Sequence, residues 1–289
     1  MLIIKKLVDY QQLIKFNLSS LVVFSSVTGY IIVPDLNINF LNLFLLALGG
    51  FLVTAAANAS NELYEIHTDK LMKRTMKRPL PDLRMRPFEA FIFIVISLLL
   101  GLFILQYFFN TLSATIALIS YILYAFVYTP LKRISPISVF VGAIPGSLPC
   151  TIGWAAATND ISTISAWTLF IIQFFWQFPH FWAIAWVGNE DYTKAGMKML
   201  PRTGKVGHFT AFQCVLYSSV LIPLSALPMF VGLGSYISLI GLLLSAIWLF
   251  YNSSLFLKDN SDQNAKKVMY ASFVYLPVAF LFFIIDRFI

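Results

Sequence analysis

The sequence predicts an all-α polytopic membrane protein with nine transmembrane helices, and three observations carry that prediction. Of the 289 residues, 59% are hydrophobic and 11% charged, with a mean hydropathy of +0.79. That leaves too little polar side chain to cover a soluble domain. Apolar runs long enough to cross a hydrocarbon core of about 30 Å, each of roughly 17 to 25 residues, recur along the chain. Every Lys and Arg except Arg287 falls in every second gap between those runs, the alternation that a positive-inside topology requires.

The runs lie near 18–34, 40–57, 88–108, 112–129, 136–157, 163–187, 209–231, 235–251 and 268–285. Lys5, Lys6 and Lys15 precede the first. The gap after the second holds Lys70, Lys73, Arg74, Lys77, Arg78, Arg84 and Arg86; Lys132 and Arg133 follow the fourth. Lys194, Lys198, Arg202 and Lys205 follow the sixth, and Lys258, Lys266 and Lys267 the eighth. An odd number of spans then puts the N-terminus in the cytoplasm and the C-terminus outside. The formal charge of +7 is accounted for by orientation and by contact with anionic lipid, and no nucleic-acid partner is expected.

Residues 1–20 lack a short apolar core followed by a small-residue cleavage site, so no cleaved leader is expected. Cys150 and Cys214 sit inside apolar runs with no CxxC or CxxCH, which predicts neither disulfide, zinc site nor covalently attached haem. One membrane-embedded domain spanning 1–289 is expected, with polar chemistry concentrated in two gaps, 58–87 and 188–208.

If the second span continues as helix past Asn58, then Asn61, Glu65, Asp69, Lys73 and Lys77 recur at i+4 and form one slowly drifting stripe. Hard cations such as Mg²⁺ take oxygen ligands and are held by one or two carboxylates plus the phosphates of a substrate. Asn61, Glu65 and Asp69 offer that oxygen set; Lys73, Arg74, Lys77 and Arg78 offer cations for the rest of a diphosphate. The bland alternative is a solvated helix with acid-before-base pairs at i,i+4. The second gap repeats the pattern: Asn189, Glu190 and Asp191 stand at a membrane mouth, trailed by Lys194 and Lys198. Two acid clusters suit metal ions bridging one polyphosphate; a hydrated loop is the alternative. His180 follows Pro179 inside the sixth span, where it either ligates haem iron or is a satisfied histidine within the bundle.

Together these residues resemble the UbiA-type intramembrane prenyltransferases, and within them the branch that farnesylates haem. The family's Asn-x-x-x-Asp-x-x-x-Asp signature is similar to Asn61, Glu65 and Asp69 followed by Met72-Lys73-Arg74-Thr75 and Arg78-Pro79-Leu80-Pro81, with Glu65 where Asp is usual. The haem branch is suggested by Tyr128-Thr129-Pro130-Leu131-Lys132-Arg133, by Gly142-Ala143-Ile144-Pro145-Gly146, by Trp176-Gln177-Phe178-Pro179-His180-Phe181-Trp182, and by Asp191-Tyr192 with Met199-Leu200-Pro201. Lys15-Phe16 stands where the family often has Lys-Pro.

The resemblance implies transfer of a farnesyl group from farnesyl diphosphate to a vinyl group of haem b, by Mg²⁺-assisted loss of diphosphate and capture of the allylic cation. It implies metal binding at Asn61, Glu65, Asp69 and Asp191, and substrate binding at Lys73, Arg74, Arg78, Tyr128, Lys132, Arg133, Lys198 and His180. Tyr124, Tyr128, Phe175 and Trp176 are candidates to face the cation. A bacterial plasma membrane and a downstream haem-modifying enzyme complete the expected setting. Two other readings stay open: the same fold acting on a quinone precursor or other aromatic acceptor, and a cation-coupled transporter, which more typically places its ionisable groups near the bilayer midplane.

Overall fold

A computed structural model describes residues 2–201 and 208–289, all of it helix, turn and connecting segment. Arg202 and Lys205, two bases of the second gap, lie outside the described residues. In chain order the helices are α1 (Leu2–Leu13), α2 (Phe16–Ile31), α3 (Phe40–Tyr64), α4 (Ile66–Asp69), α5 (Pro87–Phe108) and α6 (Thr111–Ile122). A π-helical turn, Leu123–Tyr128, leads into α7 (Thr129–Leu131). Then come α8 (Ser138–Thr158), α9 (Ile164–Val187), α10 (Asn189–Lys194), α11 (Phe209–Leu224), α12 (Leu227–Phe230), α13 (Tyr236–Lys258) and α14 (Asp262–Phe288).

Among the described residues seven helical units are long and apolar enough to cross a membrane, and α1 with α2 makes an eighth if their bent pair counts as one span. The 24-residue α9 is long enough but falls short in hydropathy. Its Gln173, Gln177, Pro179 and His180 dilute it, and three of these face an internal chamber rather than lipid.

Starts are fixed by side-chain caps: Asn39 accepts from Leu41 N (2.8 Å), Asn110 from Ser113 N (2.8 Å), and Pro87 occupies the first turn of α5. Between membrane helices burial of apolar area gives no preference for one helix over lipid, so close backbone approach does the packing. A Cβ at Gly29 would strike the Cys150 carbonyl and one at Gly153 the Ser26 carbonyl. These glycines let α2 and α8 touch backbone to backbone. Pro149 has no N–H for the Pro145 carbonyl, and Ser120 Oγ of α6 donates to it instead (3.1 Å). Gln173 Nε2 reaches the Gly146 carbonyl (2.9 Å), tying α9 to the same bent stretch of α8.

Candidate functional site

The first acid cluster is built at the end of α3. Glu65 N bonds Asn61 O (3.0 Å) and Asp69 N bonds Glu65 O (2.8 Å), so the i,i+4 stripe expected from sequence holds from Asn61 to Asp69. It stops there. Leu71 N and Met72 N turn back to Thr68 O and Asp69 O, and Thr75 Oγ1 donates to Asp69 O (3.0 Å), satisfying the carbonyl that another helical turn would have used. Lys73 and Lys77 therefore leave the stripe and are exposed. Arg78, carried back by the turn, meets Asp69 Oδ2 at 2.8 Å.

Asn61, Glu62, Glu65 and Asp69 are all buried. Asn61 Nδ2 donates to Glu65 Oε2 (2.8 Å) and to Thr129 Oγ1 (3.2 Å). Lys132 Nζ lies 2.6 Å from Glu65 Oε1, a charge contact not aligned as a hydrogen bond. Lys132 reaches that place because the π turn and Pro130 rotate the end of the fourth expected span; Thr129 Oγ1 closes the turn on Tyr124 O (2.8 Å). A π turn at a functional position is a recurrent device. Burying this many acids is tolerable only because each meets a base or a donor.

Lys15, counted from sequence as topological charge and noted in Lys15-Phe16 where the family often has Lys-Pro, joins the cluster. It sits in the break between α1 and α2 with φ 50° and ψ 57°, a left-handed backbone that a non-glycine residue adopts at a cost. Ser19 Oγ (2.6 Å) and Asn58 Nδ2 (3.3 Å) both donate to the Ile14 carbonyl and hold the break, which sends Lys15 Nζ to Asn61 Oδ1 at 2.7 Å. The readable signal was a base beside the break in apolar pattern, 46 residues before its partner.

Oxygen donors, rather than thiols or imidazoles, line this cluster, and Glu62 Oε2 and Asp69 Oδ1 are buried without a hydrogen-bond partner. Both features fit a hard divalent cation. Among the described residues no three His, Cys, Asp or Glu side chains group into a complete metal cage. Glu65, Asp69 and Asp191, expected from sequence to share a metal, are thus not gathered as one such group.

The second cluster is built differently. Asp191 is half-buried on α10 and, among the described residues, has no ion-pair partner. Lys194 pairs with Glu190 at 2.6 Å, and that neighbour holds its ammonium above the usual value. The two gaps do meet: Arg74 donates to Tyr192 OH (3.3 Å), and Lys198 N bonds Lys132 O (2.7 Å). Of the expected phosphate cations, Arg78 and Lys132 are in the cluster, Arg74 bridges to the second gap, and Lys73, Arg133 and Lys198 are exposed.

Behind the mouth lies a chamber of about 310 Å³. Helix α9 presents Gln173, Trp176, Gln177, His180 and Phe181 to it, the i, i+3, i+4, i+7, i+8 face of one helix. Tyr124 and Tyr128 form the wall nearest the acids, with Lys132 Nζ 4.9 Å from the Tyr128 ring centroid. Phe175 does not line the chamber; it is off the stripe and packs against Tyr217 (5.9 Å). His180 stacks on Trp176 (4.5 Å), while Trp176 Nε1 donates to Ser272 O (2.8 Å). Ser272 Oγ donates its hydrogen to Met269 O (2.6 Å), so toward His180 Nδ1 (2.9 Å) it accepts. The proton is thereby assigned to Nδ1, which leaves Nε2 with its lone pair free.

Comparison with known proteins places these features. The model of the UbiA prenyltransferase family matches residues 22–276. The chain is 43% identical to the protoheme IX farnesyltransferase of Cytophaga hutchinsonii, covering 96% of this chain and 97% of that one. It is 44% identical to the protein of that name from Christiangramia forsetii, over 97% of this chain and 94% of the other. Among solved structures it is similar to digeranylgeranylglyceryl phosphate synthase (TM-score 0.80, 24% identity, 98% and 99% coverage). It also resembles a UbiA homologue from Archaeoglobus fulgidus bound to GPP and Mg²⁺ (TM-score 0.60, 18% identity, 95% and 99% coverage).

Proposed function

The chain belongs to the UbiA prenyltransferase family, and from that premise we propose that it transfers the farnesyl group of farnesyl diphosphate to a vinyl group of haem b, making haem O. The observation that carries the reading is a buried acid cluster with unpartnered carboxylate oxygens, joined through Lys132 to Tyr128 in the wall of an aromatic-lined chamber. Its full-length relatives bear the name of that activity.

Asn61, Glu65, Asp69 and Asp191 are the residues that would hold Mg²⁺. When bound, the ion supplies positive charge for the departing diphosphate. Arg78 and Lys132 already stand beside those acids, so guanidinium and ammonium are in position for phosphate oxygens as charge develops on them. Arg74 joins them from the bridge to Tyr192, with Lys73, Arg133 and Lys198 on the approach. Tyr124, Tyr128 and Trp176 offer π faces toward the chamber. The walls exclude bulk water from the allylic cation until the vinyl carbon attacks it. His180, with Nε2 free, ligates or orients the haem iron.

The protein is one domain in the plasma membrane with nine spans, α9 among them and α2 giving the first. The N-terminus is then cytoplasmic and the C-terminus outside, and the haem product passes to a downstream haem-modifying enzyme. The test is to incubate the purified protein in lipid nanodiscs with haem b, farnesyl diphosphate and Mg²⁺ and to measure haem mass. A haem heavier by one farnesyl and one hydroxyl group is expected, the hydroxyl coming from water that captures the cation left on the vinyl carbon and gives up a proton. Release of diphosphate with an aromatic acceptor but never with haem would move the assignment to a quinone-type prenyltransferase.

A further inference from the structure

The most unusual docking in the molecule is that of α1. An amphipathic helix on a protein surface normally turns its apolar stripe inward. Here buried Leu13 and the Tyr10 ring share the inward side with a set of polar contacts. Lys6 Nζ bonds both carboxylate oxygens of Glu89 (2.9 Å each), and Tyr10 OH adds a third bond to Glu89 (3.0 Å). Asp9 pairs with Arg84, which also donates to Gln12 Oε1 (2.9 Å). The opposite stripe, Ile4, Leu7 and Val8, is exposed at 66%, 58% and 42% and touches nothing that hides it.

Two further observations identify what covers that stripe. Besides packing on α3 and α2, α1 is tied through Glu89 and Phe93 to α5, a membrane-crossing unit whose first turns carry exposed Phe88, Phe91 and Ile92. The apolar face of α1, held near those turns by the Glu89 contacts, is exposed as they are. The chain also bends by 55° between α1 and α2, so α1 is tilted well away from its neighbouring span and does not extend it. Lys5, exposed beside the apolar stripe, is placed for anionic headgroups.

We propose that α1 is an interfacial helix that beds Ile4, Leu7 and Val8 in the headgroup–acyl boundary of the bilayer, and that through Arg84 it positions the loop carrying Arg74 and Arg78. Arg84 is the link: besides Asp9 and Gln12 of α1 it holds the Lys77 carbonyl (2.6 Å) and Asp82 (2.9 Å) within that loop. The second half of the proposal rests on the assignment of Arg78 to diphosphate. The first half does not.

The experiment uses the full chain in nanodiscs of phosphatidylcholine and phosphatidylglycerol. A small fluorophore is attached to Leu7→Cys, with Asp160→Cys, in an exposed loop, as the aqueous reference; Cys150 and Cys214 are buried and protected. Lipid carrying a shallow nitroxide should quench the residue-7 probe at least about twofold, while aqueous iodide should quench it far less than the residue-160 probe. Iodide quenching equal to the reference overturns the proposal. So does insensitivity to both quenchers with Leu7→Cys copies cross-linking to each other, since the face would then cover a second copy. For the positioning half, Asp9→Ala should raise KM for farnesyl diphosphate by about fivefold with kcat held within about twofold, the signature of lost binding geometry. An unchanged KM with the quenching result intact removes the coupling and leaves the membrane contact standing.

Discussion

The two acid-bearing gaps read almost alike, Asn61-Glu62-Leu63-Tyr64 against Asn189-Glu190-Asp191-Tyr192, yet the fold treats them as opposites. In the first, Asn61, Glu65 and Asp69 are buried and wired to Lys15, Lys132 and Arg78. In the second, Asp191 is half-buried on a six-residue helix and, among the described residues, lacks an ion-pair partner. The first cluster is preorganised by its own ion pairs; in the second, Asp191 stands half-buried next to an exposed Glu190–Lys194 pair. The lesson is that equal acid content says little about electrostatic cost, which depends on what the chain packs around the acids.

The largest expected effect sharpens that contrast. Asp69→Asn keeps the size of the side chain and removes its charge; turnover of farnesyl diphosphate should fall by about 10²- to 10³-fold, measured as diphosphate release. The paired stability measurement tests whether the clusters differ as described. Asp69→Ala strands Arg78 beside a cavity and should cost about 3 kcal/mol of stability, whereas Asp191→Ala should cost under about 0.5 kcal/mol while still lowering kcat at least about tenfold. Equal stability losses at the two positions would erase the distinction.

His180→Ala comes next, because it touches the chamber and spares the mouth. The affinity for haem should drop by about tenfold, with Mg²⁺-dependent hydrolysis of farnesyl diphosphate retained, read by haem titration and diphosphate release. Equal loss of both would count against a haem role. Gly142→Ala puts a Cβ against the Tyr128 ring and should destabilise the fold by about 1–3 kcal/mol in denaturation midpoints, slowing catalysis through Tyr128. The smallest effects belong to Lys73→Ala and Arg133→Ala, exposed on the approach, where KM for farnesyl diphosphate should change by less than about threefold and lose that change at high salt.

Much of the membrane architecture was legible because hydropathy and charge alternation are properties of long stretches. The seven apolar units fall where the runs predicted, and α9 falls on the run 163–187 although Gln173, Gln177 and His180 on its chamber face lower its hydropathy. Within the site, Asn61, Glu65 and Asp69 could be read as one face because two successive i+4 steps obey a local rule. The partners could not. Whether Arg78 or Lys73 meets Asp69 depends on Thr75 Oγ1 capping the Asp69 carbonyl and ending the helix, and Lys15 arrives through a left-handed residue held by Ser19 and Asn58. Both are tertiary events across a break in periodicity. Phe175 shows the converse: counted as a chamber residue from its neighbourhood, it is turned away by one helical step from Trp176.

The central claim is that acids from both gaps hold one metal-bound diphosphate at the mouth of the chamber. Its most direct test is the affinity of the purified protein for a non-hydrolysable farnesyl thiodiphosphate, titrated with and without Mg²⁺ in the wild type, Asp69→Asn and Asp191→Asn. Mg²⁺ should tighten binding by at least about tenfold in the wild type, and each substitution alone should abolish that gain. An undiminished Mg²⁺ effect in Asp191→Asn would show that the second gap takes no part in holding the metal and would contradict the account.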